Sequence, residues 1–314
     1  MTTALEDKVS LGLFPTPLHG LPEVPGLLVK RDDLSGFGMA GNKTRSLEFL
    51  IADACATRSV GVVSGGMPTS NFVGALAEAA CRHRLACHLL VPEPITPTPS
   101  VCLARLLGAA VEGSPLPREA IDEQIAIRAS ELGEPGSRYY PIPRGGATEV
   151  GALGFVRAAA EIAQQHDGDR PMTIVIPVGS GTSIAGLVAG VALIGVPFSI
   201  VGVSVSRPID EMGPAVRSLA RAAIIRAGGQ PERIAGVPLR LVDGEKSLDA
   251  ASIREAMRSL ACRGIVMDGH YGLPTWGIAE QLARESTQGD GPVVLWHTGG
   301  LAGVPALLQQ TAEA

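Results

Sequence analysis

The chain of 314 residues is long enough for a large hydrophobic core and for two domains. Hydrophobic residues make up 46% and charged residues 18% of it, and its net charge of −5 offers no basic surface for nucleic acid or an anionic membrane. No run approaches the ~18 uninterrupted apolar residues of a membrane-spanning helix. The N-terminal stretch MTTALEDKVSLG lacks an apolar signal core, so we expect a cytoplasmic protein. The five cysteines show no C-x-x-C spacing, and we expect buried, reduced thiols rather than disulfides or a metal site.

Short apolar runs alternate with helical patterns along most of the chain. Strands are predicted at residues 27–30, 60–64, 86–91, 173–177, 199–205, 264–267 and 293–297. After Lys43, apolar residues recur at i, i+3, i+4 and i+7, which predicts a helix. Further helices are predicted at 70–84, 117–132, 149–165, 184–193 and 250–262. The alternation indicates an α/β fold with a mainly parallel sheet. We expect a turn and loop at the proline-rich segment 92–100, and the loop-rich segment 130–151 is a candidate connection between two lobes.

Four of the predicted strands end in glycines and hydrogen-bonding residues. The segments that follow them are GGMPTSNF, VGSGTSIAGL, DGHYGLPT and TGGLAG. Ligands of parallel α/β sheets collect beyond the carboxyl ends of the strands. One glycine-rich turn would have a simple backbone explanation, but four of them, together with the Gly-Asn-Lys run at 41–43, favour a binding site.

The segment VGSGTSIAGL, residues 178–187, has the composition of an anion site at a helix N-terminus. Its candidate phosphate ligands are Gly179, Ser180, Gly181, Thr182 and Ser183. It matches neither G-x-G-x-x-G nor the nucleotide-triphosphate loop, and Ala185 breaks the G-x-S-x-G pattern. The next strand does not end in an acidic residue for an adenosine ribose, which disfavours a dinucleotide, although Arg207 keeps a 2′-phosphorylated cofactor open.

Lysine is rare in this chain, which has only Lys8, Lys30, Lys43 and Lys246. Lysine can lose its proton and act as an amine, whereas arginine cannot. A phosphate site combined with one lysine at the mouth of a helix indicates pyridoxal 5′-phosphate, which requires both.

The motifs also resemble those of a known family. The segments PTPL, VKRDDLSG, AGNKTRSLEFLIADA, SGGMPTSN, GSGTSIAGL, GIVMDGHYG and HTGGLAGVPAL occur in family order from residue 15 to about 307. In these segments the chain resembles the 1-aminocyclopropane-1-carboxylate deaminase/D-cysteine desulfhydrase family of fold-type II pyridoxal-phosphate enzymes, relatives of the tryptophan synthase β subunit. The resemblance implies two domains, each a mainly parallel twisted sheet flanked by helices. We expect a large cofactor domain at 1–49 plus 156–314 and a small domain at 50–155.

The resemblance assigns a role to each motif. Lys43 would carry the cofactor covalently and exchange protons at the substrate's α carbon, and Asn42 would shape its turn. Ser70 and Asn71 would bind the substrate carboxylate, with Asn71 also near the ring hydroxyl. Their alternative role is ordinary capping of the following helix, and both roles are compatible. Tyr271 would move a proton or steady the leaving group; the alternative is a half-buried packing tyrosine.

Some positions depart from the family pattern. Thr69 stands where the family commonly has glutamine and Phe72 where it has histidine, so we expect both near an altered substrate pocket. His270 is a further candidate substrate contact beside the tyrosine. Gly272 replaces the usual partner of the pyridine nitrogen, and Thr298 is our candidate substitute.

The resemblance implies a homodimeric, metal-independent lyase or hydrolase that acts on a small amino acid. β-Elimination, as from D-cysteine, would release ammonia and a keto acid. Ring opening of a cyclopropane amino acid, β-replacement or another biosynthetic step stays open. From other classes, a non-catalytic binding protein would keep the phosphate site without needing Lys43. An NADP-dependent reductase would use the segment 179–186 instead.

Overall fold

The computed structural model describes residues 3–117, 120–167, 169–244, 250–286, 291–305 and 307–308. Its described part contains two sheets, and helices cover their faces.

The larger sheet has six strands in the order β1-β2-β10-β7-β8-β9. The pair β1–β2 is antiparallel and the other neighbours run parallel. The parallel arrangement places the ends of β7 and β10 at one edge, where both glycine-rich turns emerge. The strands are β1 (Leu18–Gly20), β2 (Leu27–Arg31), β7 (Met172–Val178), β8 (Phe198–Ser204), β9 (Leu239–Asp243) and β10 (Val293–His297).

The smaller sheet has four strands in the order β5-β4-β3-β6, and all its neighbours run parallel. Its strands are β3 (Ser59–Gly65), β4 (Ala86–Pro92), β5 (Ala110–Ser114) and β6 (Arg138–Pro141). All four lie between the residues that form β2 and β7, so the small sheet is inserted between two parts of the large one. The strands of the small sheet therefore all fall within the proposed small domain, and those of the large sheet fall within the proposed large domain. The proposed boundaries at 49/50 and 155/156 fall inside helices and stay a prediction.

Nine helices connect the strands of the described residues. They are α1 (Lys43–Ala56), α2 (Asn71–Arg82), α3 (Pro99–Leu106), α4 (Ile121–Glu131), α5 (Glu149–His166), α6 (Thr182–Ile194), α7 (Ile209–Arg226), α8 (Ala250–Ala261) and α9 (Gly272–Glu285). Alternate residues of β7 face opposite sides: Ile174 and Ile176 pack with α5 and α6, whereas Val175 packs with α9. The large sheet is thus covered on both faces, which explains its continuous apolar strands.

Helix α6 is apolar on all sides because it lies against several other elements of the core. It touches α5 through glycines: a Cβ at Gly186 would lie 2.2 Å from the Ala152 carbonyl oxygen, and one at Gly190 would lie 2.8 Å from that of Val156. This close backbone approach fixes the position of the N-terminus of α6.

A buried ion network holds the start of α1 against the large sheet. The Arg45 guanidinium donates to both carboxylate oxygens of Asp32 (2.8 Å each) and to Glu161 (2.9 Å). Lys30 is fully buried, pairs with the same Glu161 and donates to the Thr16 carbonyl oxygen (2.6 Å). Each buried charge therefore has an opposite charge, which is the condition under which buried ions are tolerated.

Several sequence predictions are wrong in detail. Residues 264–267 are not a strand; this segment leads into the turn before α9, and the Ile265 N–H bonds back to the Leu260 carbonyl oxygen of α8. Helix α3 begins within the predicted loop 92–100, with a proline in its first turn and Thr98 as its N-cap. Strand β6 lies within the predicted loop at 130–151. Of the cysteines only Cys87 is buried; the other four are exposed, mainly on the outer faces of helices, although all five are free thiols.

No helix among the described residues is long and apolar enough to cross a membrane.

Candidate active site

Lys43 begins α1 in a turn packed tightly against the turn after β10. Gly41 adopts a left-handed conformation (φ +54°), and a Cβ at this position would lie 2.3 Å from the Thr298 carbonyl oxygen. The Asn42 N–H donates to the same carbonyl (3.0 Å). Only glycine fits this position, so the approach of two backbone turns requires Gly41 in the Gly-Asn-Lys run.

The Asn42 side chain links the lysine turn to α6. Its Nδ2 donates to the Ser183 hydroxyl across 3.0 Å, and both side chains are buried. Three of the predicted site segments, at 41–43, 180–183 and 298–300, are therefore joined through one asparagine. The structure thus brings together the turns that carry the predicted lysine and phosphate ligands.

Lys43 differs from the other described lysines in having no carboxylate partner. Lys8 pairs with Glu48 and Lys30 with Glu161, while Lys246 lies outside the described residues. The Lys43 side chain keeps some exposed surface, but burial of its ammonium lowers its pKa to about 8. Near pH 7 roughly a tenth of this amine is uncharged and able to attack an aldehyde.

The segment 179–183, here called the phosphate turn, has the geometry expected of an anion site. Gly181 has a left-handed conformation (φ +91°) at the N-cap of α6, and the first turn of this helix contains no acidic residue. The Ser180 and Thr182 hydroxyls lie 2.9 Å apart. Free N–H groups, the positive end of the helix dipole and these hydroxyls fit a phosphate.

Two residues outside the predicted set complete this turn. Arg207 donates to the Ser180 carbonyl oxygen (3.3 Å) and adds positive charge. Gly145 accepts from Thr182 through its carbonyl oxygen (3.1 Å), and a Cβ at Gly145 would lie 2.6 Å from the Ser180 hydroxyl. The sequence signal for Arg207 was its place just after β8, at the same sheet edge. No sequence pattern pointed to Gly145, because the residue that it contacts, Ser180, lies 35 positions away in the chain.

The N-terminus of α2 has the geometry expected of a carboxylate site. Ser70 is its N-cap and accepts the Phe72 N–H (3.3 Å), so the predicted capping role is confirmed. The first turn contains no acidic residue, and Asn71 is partly exposed. Thr69 is exposed beside it, whereas the Phe72 side chain is buried in the core and faces Gly146. Substrate contacts by these residues stay predictions.

Tyr271 lies against the phosphate turn. A Cβ at Gly179 would lie 3.2 Å from the tyrosine ring and 3.4 Å from its hydroxyl oxygen. His270 is exposed and packs edge-on against the Tyr271 ring, with 4.5 Å between the ring centroids. The predicted catalytic tyrosine therefore lies beside the predicted phosphate ligands.

Gly272 has a packing reason for being glycine. A Cβ there would lie 2.6 Å from the Met267 Cβ, so no larger side chain fits without movement of the backbone. The absence of the family's usual partner of the pyridine nitrogen at position 272 thus accompanies a close contact within the turn before α9. Thr298, at the end of β10 beside Gly41, remains our candidate for that partner.

Two alternatives to this site are a cavity near α5 and a metal centre. A cavity of about 530 Å³ lies between the N-terminal segment and α5, but the charged side chains Lys8, Glu48, Arg45 and Glu161 in its wall are paired with one another. In the part of the chain that the structure describes, no group of His, Cys, Asp and Glu has the arrangement of a metal site.

A buried amine with a lowered pKa, in a turn joined to a helix N-terminus that carries hydroxyls, fits pyridoxal 5′-phosphate. The family model described as "Pyridoxal-phosphate dependent enzyme" matches residues 9–299. The chain belongs to this family. Its cofactor is therefore pyridoxal 5′-phosphate, and the cofactor predicted from the sequence is confirmed.

Relatives of this pyridoxal-phosphate enzyme agree with the predicted resemblance. A "D-cysteine desulfhydrase" of Salmonella paratyphi A is 33% identical, and the match covers 93% of both chains. The solved structure of an "ACC deaminase homologue" is 28% identical with a TM-score of 0.85 and covers 98% of both chains. A diaminopropionate ammonia lyase from Escherichia coli shares the fold, with a TM-score of 0.70 at 15% identity, over 99% of this chain and 90% of its own. The predicted fold class, two mainly parallel sheets flanked by helices, is confirmed.

Proposed function

We propose that this enzyme catalyses β-elimination from a small amino acid and that D-cysteine is a substrate. The observation that carries the proposal is the Lys43 amine, which is buried, unpaired among the described residues and linked to the phosphate turn through Asn42. The relation to a D-cysteine desulfhydrase over 93% of the chain supports this choice of substrate.

Bound pyridoxal phosphate supplies an electron sink for negative charge at the α carbon. The residues of the chain supply the rest. The first turn of α2, from Asn71, binds the substrate carboxylate through its N–H groups and fixes the α carbon near Lys43. The Lys43 amine removes the α proton, because the lowered pKa leaves part of it unprotonated. Tyr271 steadies or protonates the departing sulfur.

The overall change balances without another reactant besides water. The Cα–H and Cβ–S bonds break, and D-cysteine plus water gives hydrogen sulfide, ammonia and pyruvate. Because the C–S bond breaks by elimination, the enzyme is a lyase, and the hydrolase class that we also considered is not supported. We further propose a homodimer, as the family resemblance implies, and a cytoplasmic location.

The test is a comparison of D-cysteine, L-cysteine, O-substituted serines and 1-aminocyclopropane-1-carboxylate with purified cofactor-loaded enzyme. Sulfide and keto acid are measured together, and the Lys43→Ala variant serves as the inactive control. We expect equal amounts of sulfide and pyruvate from D-cysteine. If D-cysteine releases neither product, its assignment as a substrate is wrong. If no compound releases a keto acid, the assignment of β-elimination is wrong.

A further inference from the structure

A buried carboxylate that the sequence analysis did not assign lies beside the catalytic tyrosine. Asp268 is only 4% exposed, and its Oδ1 accepts the backbone N–H groups of His270 (2.9 Å) and Tyr271 (2.7 Å). The Tyr271 carbonyl oxygen in turn accepts from the Thr275 hydroxyl (2.7 Å). The backbone N–H and the carbonyl oxygen of Tyr271 are therefore both hydrogen-bonded to side chains.

The second oxygen of Asp268 is buried and has no hydrogen-bond partner among the described residues. It lies against the turn after β10: a Cβ at Gly300, a residue with φ +89°, would lie 2.1 Å from Oδ2. Burial raises the pKa of this carboxyl group. The side chain is thus wedged between the turn that carries Tyr271 and the turn that carries Thr298. An unpaired buried oxygen is costly, which favours a role beyond packing.

The Tyr271 ring projects from this turn onto Gly179 of the phosphate turn. The position of the phenol depends on the backbone direction at residue 271, and Asp268 sets that direction through its two hydrogen bonds. A shift of about 1 Å in a reacting group can lower a rate by about a hundredfold.

We propose that Asp268 is a positioning residue for the elimination: its carboxylate holds the Tyr271 backbone so that the phenol lies over the phosphate turn. The inference rests on the proposed function. The contrasting explanation is that Asp268 only stabilises the start of α9, as a helix cap does. A cap would change stability without acting through the phenol.

The two explanations predict different effects when substitutions at Asp268 and Tyr271 are combined in one chain. Asp268→Ala and Asp268→Asn are made in the native chain and in the Tyr271→Phe variant, and D-cysteine turnover is measured at saturating cofactor. We expect Asp268→Ala to lower kcat by about tenfold to a hundredfold in the native chain but only about twofold in the phenylalanine variant, because the positioned group is then absent. Asp268→Asn keeps an oxygen acceptor and should stay within about threefold of the native rate. Equal losses from Asp268→Ala in both backgrounds would overturn the proposal.

A second measurement is independent of turnover. Amide hydrogen exchange at His270 and Tyr271, with and without pyridoxal phosphate, should be slow in the native chain and in Asp268→Asn, and fast in Asp268→Ala. Ser114→Ala is the control: it removes a buried side chain that accepts the Leu116 N–H (3.2 Å) in the small sheet, and it should leave both amides protected. Unchanged protection in Asp268→Ala would also overturn the proposal.

If D-cysteine is not a substrate of the native enzyme, the exchange measurement still decides whether Asp268 holds the backbone N–H of Tyr271, which the positioning role requires. A failure of the substrate assignment and a failure of the positioning role are thereby distinguishable.

Discussion

Asn42 Nδ2 donates to Ser183 Oγ across 3.0 Å, and this bond joins the turn that carries Lys43 to the first turn of α6. The two residues are 141 positions apart in the chain. The aldehyde and the phosphate of pyridoxal phosphate are attached to one rigid ring. In the proposed site, the distance between Lys43 and α6 therefore has to match the cofactor, and the Asn42–Ser183 bond is one contact that maintains this distance.

Removing this bond should weaken cofactor binding. We expect Asn42→Ala to raise the Kd for pyridoxal phosphate about tenfold, since one buried hydrogen bond is lost and the Ser183 hydroxyl is left without its donor. Absorbance titration of the apoprotein measures the Kd. Ser183→Ala should have a similar effect, and the double variant should be no weaker than the worse single one. Additive losses would show that the two side chains act separately.

Lys43 should be the only site of covalent attachment. Borohydride treatment of the loaded protein followed by peptide mass spectrometry should locate the cofactor on Lys43, and Lys43→Ala should lose the adduct and about 10³-fold or more of the turnover. Lys8→Ala is the matched control, because that lysine is paired with Glu48 instead. A trapped adduct on Lys43→Ala protein would refute the assignment.

The stability of the apoprotein should depend on pH through Lys43. Burial lowers the pKa of this amine to about 8, against an ordinary 10.5. Between these values the unfolded chain binds a proton that the folded chain does not, so this group makes the free energy of unfolding rise with pH across the window. Below about pH 8 both states are protonated and the cost of the buried charge is fully present.

Urea unfolding of the apoprotein at pH 7.5 and at pH 9.5, compared with Lys43→Met, measures this contribution. The stability advantage of the methionine variant should shrink at the higher pH. A constant difference between the two proteins would contradict the lowered pKa.

Gly272 should tolerate no side chain. Gly272→Ala places a Cβ 2.6 Å from the Met267 Cβ, and we expect a loss of about 1–3 kcal/mol in the free energy of unfolding. Gly277 lies in the same helix with no atom within 4 Å of its Cβ position, so Gly277→Ala should instead stabilise by about 0.5–1 kcal/mol. Denaturant unfolding of both variants makes the comparison. Equal stability of the two would mean that the Met267 contact relaxes at no cost.

The sequence located most of the parallel strands, because buried parallel strands are continuous apolar runs. It missed β5, β6 and β9, most of whose residues are only partly buried or exposed. It also placed a strand at 264–267, where Ile265 and Met267 are buried, Val266 is exposed, and no pairing with a described strand forms. Apolar character predicts burial, but it does not decide which backbone partner a segment finds.

The residues of the candidate site could likewise be predicted only in part. Lys43 and the turn at 179–183 could be predicted, because their chemistry is local to a few residues. Asp268 and Gly145 could not, since their roles depend on contacts with Gly300 and Ser180, far away in the chain. Likewise, Gly272 suggested a missing ligand in the sequence, and only the Met267 contact explains it.

The Arg45 ion network has a consequence for motion. Arg45 follows Lys43 by two residues and is clamped by Asp32 and Glu161, so the first turn of α1 is fixed to the large sheet. Any movement of the four-stranded sheet relative to the large one would therefore leave the first turn of α1, and with it the backbone of Lys43, in place.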